Sequence, residues 1–102
     1  MARNASVTAL LPVEAEFQKE KAQGLRRTGE KLEQALAALA SAEAALGPVG
    51  AAGRATRFRR YTELRQEAET QRWYLMVQRE ACGVRNHTEM DLLFPMPPRI
   101  RE

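Results

Sequence analysis

The stretch Leu25-Arg26-Arg27-Thr28-Gly29-Glu30-Lys31-Leu32-Glu33-Gln34-Ala35-Leu36-Ala37-Ala38-Leu39-Ala40-Ser41-Ala42-Glu43-Ala44-Ala45-Leu46 decides the fold. Leucine returns every seventh residue at Leu25, Leu32, Leu39 and Leu46, and only a helix that buries one narrow stripe needs that spacing. Working upstream, Leu11 keeps the same register, and Val13, Phe17, Ala22, Ala35, Leu36 and Ala42 fill in the same face. Glu16, Lys19, Glu20, Glu30, Lys31 and Glu33 occupy the opposite one. This pattern predicts an amphipathic helix over residues 12–46, about 50 Å long. Its start is set at Pro12, because proline is best tolerated in a first turn, and the unperiodic residues 1–10 read as a frayed lead-in.

Gly24 and Gly29 lie inside this span, each costing about 1 kcal/mol relative to alanine. The helix either runs through them, with glycine admitting a close neighbour, or breaks into two pieces of a three-helix bundle. Leucines in phase on both sides favour continuity. Gly47-Pro48-Val49-Gly50-Ala51-Ala52-Gly53 cannot continue a helix cheaply, so 47–53 is a turn that sends the chain back antiparallel.

A second helix is expected over 54–82, where Tyr61, Ala68, Leu75 and Cys82 repeat the heptad and Gly83 supplies a left-handed cap followed by Val84. Trp73, Tyr74, Met76 and Val77 widen its apolar face beyond what one seam covers. Thr88-Glu89-Met90-Asp91 has the form of a capping box with aspartate in the last place, opening a short helix over 88–94. Pro95, Pro97 and Pro98 end it and leave residues 95–102 extended, polyproline-like and exposed. The fold expected is a single all-α domain: an antiparallel, coiled-coil-like two-helix hairpin with a short C-terminal helix and a proline-rich tail.

Composition narrows the chemistry. The 102 residues carry a formal charge of +3 and 44% hydrophobic residues, mostly alanine and leucine. That is basic enough to permit an acidic partner and too mild to demand one. Arginine outnumbers lysine thirteen to three, which fits either a GC-rich coding sequence or a need for planar, bidentate donors. One cysteine precludes an internal disulfide and a multi-cysteine zinc site, which suits a reducing, cytoplasmic setting. No segment has the apolar length of a membrane span, and the patch from Val7 to Val13 lacks the flanks of a secretory signal. Without export, the acceptor patterns at Asn4-Ala5-Ser6 and Asn86-His87-Thr88 are chance matches.

Cys82 and His87, with Asn86 or Glu89 as orienting group, form the sole candidate nucleophile and base pair. A lone thiol closing an apolar heptad reads better as a small core residue. No phosphate loop follows Gly47, no metal-ligand cluster is spaced for binding, and neither a cofactor nor a small-molecule substrate is expected.

Two surfaces remain. Leu25, Leu32, Leu39, Leu46, Tyr61, Trp73, Tyr74, Val77, Leu93 and Phe94 are the expected partner interface, serving a homo-oligomer or a helical protein partner. Arg54, Arg57 and Arg60 defy the positive end of the helix dipole, and Arg65, Arg72 and Arg79 continue them down one stripe. These six are the alternative anion site, where nucleic acid or an acidic face would lie. Interleaved Glu63, Glu67, Glu69 and Glu80 suit an ordinary solvated face instead. The tail from Met90 through Arg99 reads equally as a docking peptide for a partner or as a flap folded over Trp73 and Val77. The functional expectation is a non-catalytic adaptor or assembly subunit, with a small nucleic-acid-binding protein as the alternative.

Overall fold

A computed structural model describes residues 2–101, with side chains from Pro12 onward. The element order is α1 (Ala2–Ala44), α2 (Arg54–Ala81) and α3 (Thr88–Leu93). The two long helices pack against each other as a hairpin, and the short third helix follows, so the architecture is the all-helical one expected.

The seam is the heptad stripe. Leu39 and Leu46 of α1 share a buried cluster with Tyr61 and Ala68 of α2, and Leu32 shares a second with Leu75. Because Leu46 lies near the turn and Leu32 away from it, the two stripes meet running in opposite directions.

α1 differs from expectation at both ends. It starts at Ala2 rather than 12, so Pro12 sits inside the helix instead of in its first turn. Ala2, Ala5, Ala9, Leu10 and Leu11 are strong helix formers, and they carry the backbone through a proline that forgoes one hydrogen bond and costs about 3 kcal/mol. It ends at Ala44, two residues early, where Gly47 turns left-handed at φ 72°. The helix is continuous across Gly24 and Gly29, but a Cβ at either would meet nothing within 4 Å. Close approach of a neighbour is therefore not the reason for these glycines.

α2 ends as its sequence indicates. Gly83 takes φ 89°, its N–H donates to the Glu80 carbonyl, and the Val84 N–H reaches back to the Arg79 carbonyl at 2.9 Å. That pair of bonds is a Schellman closure, with Cys82 as the capping residue rather than the last helical one.

α3 spans six residues and is capped differently from the expected box. His87 holds the N-cap position without a side-chain bond, while Asn86 Oδ1 accepts from both the Thr88 N–H (2.9 Å) and its hydroxyl (2.6 Å). An asparagine two residues ahead thus does the work assigned to Thr88.

The molecule measures 75 × 20 × 15 Å. The 28 residues of α2 account for about 42 Å of that length, so about 30 Å of α1 projects past its partner. Leu25 is half-buried against the Leu32 and Leu75 cluster, and from Pro12 to Glu20 every side chain is exposed.

Candidate functional site

The arginines at the start of α2 resolve the conflict with its dipole. Arg54 Nε donates to the Gly47 carbonyl at 3.1 Å, and Arg57 Nε to the Leu46 carbonyl at 3.2 Å. Both acceptors are orphan carbonyls beyond the end of α1, where the dipole is negative, so these cations close the neighbouring helix rather than await an external anion. Arg54 is accordingly 7% exposed. Arg60 stays at the surface, 3.8 Å from Glu63.

The stripe of Arg65, Arg72 and Arg79 is covered by the chain's own C-terminal segment. Arg65 donates to the Pro97 carbonyl through Nη2 at 2.9 Å and Nε at 3.1 Å, and also pairs with Glu69. Arg72 reaches the Phe94 carbonyl at 3.3 Å and the Asp91 carboxylate at 2.5 Å. Arg79 pairs with Glu89 at 3.3 Å. Glu89 and Asp91 stand in the first turn of α3, where the dipole also favours them.

The tail is therefore extended but not free, which corrects the expectation of an exposed polyproline arm. Two guanidinium groups hold the main chain of this segment, Arg72 at the Phe94 carbonyl and Arg65 with a forked pair of donors at the Pro97 carbonyl. Met90 is fully buried with Leu32 and Leu75, and Phe94 packs on that cluster. Met96 and Ile100 lie against the Leu39 cluster, and Tyr61 donates its hydroxyl to the Pro98 carbonyl at 3.2 Å. Burial pushes the Tyr61 hydroxyl above its ordinary 10.0, Glu43 adds to the shift, and Arg65 opposes it.

Docking on this flank leaves the aromatic ridge uncovered, which corrects the expected flap. Trp73 is 60% exposed, with its ring centroid 5.5 Å from that of Tyr74, and Tyr74 and Val77 are also open. The expected interface thus divides. Leu32, Leu39, Leu46 and Tyr61 are buried in the chain's own seam, and Leu25 and Phe94 are half-buried beside it. Trp73, Tyr74, Val77 and Leu93 remain available.

Val13, Phe17, Val84 and Leu92 join them, and these were not singled out from the sequence as surface residues. Phe17 and Val13 look like seam residues in a linear reading, since nothing in the pattern says where the opposing helix stops. Of the exposed large hydrophobic side chains among the described residues, Val49 alone lies at the turn, and the others gather toward the open end of the hairpin.

Catalytic geometry is sparse. Cys82 is exposed, and His87 Nε2 lies 2.7 Å from Glu80 Oε1, a carboxylate outside the expected trio. Among the described residues, no group of three or more His, Cys, Asp or Glu is placed to hold a metal ion, and no helix is long and apolar enough to cross a membrane. Comparison with protein families, with curated proteins and with solved structures finds no match to this chain.

Proposed function

We propose that this chain is a non-catalytic helical interaction subunit that docks other helices through the open end of its hairpin and associates with itself. The observation carrying this reading is the concentration of exposed apolar side chains toward that end, with none on the rest of α2's solvent face. Scattered exposed hydrophobics are ordinary, whereas an indole and a phenol whose ring centroids are 5.5 Å apart, with Val77 exposed one turn on, have the composition of an interface core. Adaptor and assembly roles both follow from such a surface.

A nucleic-acid role is weaker. Five of its six expected arginines already donate to the chain's own carbonyls and carboxylates, and Arg60 is left with Glu63 beside it. A duplex would first have to displace the tail.

Photocrosslinking in the native cell tests the reading. A crosslinking residue at position 73 or 77 should give one discrete protein adduct, and the same residue at position 49 should give none. Absence of any discrete adduct at the open end, or equal labelling at both ends, refutes it.

A further inference from the structure

We propose that the flank of α2 carrying Arg65, Arg72 and Arg79 is a peptide-recognition groove, occupied in this structure by the chain's own residues 88–101, and that a segment of another protein with the same chemistry takes their place. That chemistry is an acidic turn with apolar anchors, followed by an extended run of prolines. The proposal goes beyond the docking role assigned to the open end and does not depend on it. The seated segment shows what the groove accepts. Met90 fills an apolar socket beside Leu32 and Leu75, and Met96 and Ile100 lie against the Leu39 cluster. Between these anchors the carbonyls of Phe94 and Pro97 take the donors of Arg72 and Arg65. A helical turn in an apolar groove joined to a proline-rich extension combines two recurring modes of peptide recognition.

Three features suit this groove to exchange. The carbonyls that Arg65, Arg72 and Tyr61 bind belong to the main chain, and any extended segment presents such groups. Three of the chain's four methionines, Met76, Met90 and Met96, lie at this one seam. Methionine is unbranched and polarizable and repacks around different neighbours, so it is the residue type of surfaces that accept more than one sequence. Finally, α2 is closed by its own Gly83 and Val84 bonds and residues 82–86 are all exposed, so the segment can leave without unwinding the helix. Exchange replaces the segment rather than baring Leu32 and Leu75.

Charge fixes the kind of partner. The three guanidinium groups recur about every 10.5 Å along the helix. Glu89 and Asp91 answer two of them from positions 69% and 77% exposed. Ion pairs this open to solvent add little affinity, but they penalise a basic segment and so select an acidic one. Because residues 82–87 are a short tether, the chain's own segment competes at an effective concentration on the order of 1 mM.

The probe is a fluorescent synthetic peptide of residues 86–101, followed by anisotropy against full-length chains. The parent should bind it weakly, because its own segment competes. Met90→Ala loosens the segment in cis and leaves the socket for the peptide's methionine, so it should bind the peptide at least tenfold more tightly. Asp91→Arg, at an exposed position that does not bear on folding, should show the same gain. Arg72→Glu added to either variant should abolish the gain, and in the Met90→Ala chain a peptide carrying Asp91→Arg should restore it. No gain in chains that keep their helix content, a gain indifferent to Arg72→Glu, or equal binding of a scrambled peptide overturns the proposal. Displacement of the peptide by stoichiometric parent chain would show exchange between copies, and displacement by single-stranded DNA of equal charge would show a polyanion site. Either result overturns the assignment of the groove to a foreign segment.

Discussion

Met90→Ala tests whether the C-terminal segment belongs to the hairpin's core. Met90 is 0% exposed and shares its cluster with Leu32 and Leu75, so truncation deletes three side-chain heavy atoms from a closed site. Deletions of this size cost about 2 to 5 kcal/mol, the spread reflecting how far the surroundings collapse. α3 is only six residues long and can settle inward, which places the cost near the lower end, about 2.5 kcal/mol. That is a roughly 70-fold shift in the unfolding equilibrium. Urea unfolding followed by far-UV circular dichroism, at one fixed protein concentration, reads it as a lower midpoint. Val49→Ala is the control: Val49 is 76% exposed in the turn, and its change should stay within about 0.5 kcal/mol of the parent. A Met90→Ala protein as stable as the parent, or no more affected than the Val49→Ala one, refutes the claim that residues 88–101 are integral to the fold.

Other outcomes follow from the same geometry. Gly24→Ala and Gly29→Ala should each stabilise the chain by up to about 1 kcal/mol, because a helix gains and no neighbour is met, whereas Gly53→Ala should destabilise it: φ is 76° and the new Cβ lies 2.8 Å from Arg57 Nη1. Thermal denaturation separates these two signs. Arg57→Ala should cost about 1 to 2 kcal/mol by leaving the Leu46 carbonyl without its charged donor, and a loss below 0.3 kcal/mol in the same assay would contradict the capping role. Tyr61 ionises at a higher pH folded than unfolded, so its stabilisation is whole below the ordinary 10.0 and is lost as pH rises through the folded value. Tyr61→Phe should remove that alkaline loss, and an unchanged stability profile above pH 10 in the variant would show that another group is responsible. The full chain should show no salt-dependent binding to nonspecific duplex DNA, and a titration that does show it would return the arginine stripe to the nucleic-acid reading.

Much of the fold is legible because its signals are local and redundant. The leucine heptad marks α1, Gly47 to Gly53 marks the turn, and Gly83 with Val84 marks the end of α2, each through a backbone requirement that few residues meet. Pro12 misleads because proline's preference for a first turn is a tendency, and the alanines and leucines before it outweigh it. The arginines are the instructive case. Their conflict with the α2 dipole is visible in sequence and does signal an anion-like partner. That partner is a set of main-chain carbonyls, which carry no sequence signature of their own. Likewise, the spacing of Arg65, Arg72 and Arg79 announces a ligand along one flank, while the identity of that ligand depends on where residues 88–101 return in three dimensions. The exposed ridge at Trp73 was readable as excess apolar surface. The exposure of Val13 and Phe17 was not, because a heptad stripe does not say how long the opposing helix is.

Sedimentation equilibrium of the purified chain across a wide concentration range tests the central claim most directly. The account predicts a reversible species heavier than the 11.5 kDa chain. A compact single copy at every concentration, binding no hydrophobic dye, would contradict it.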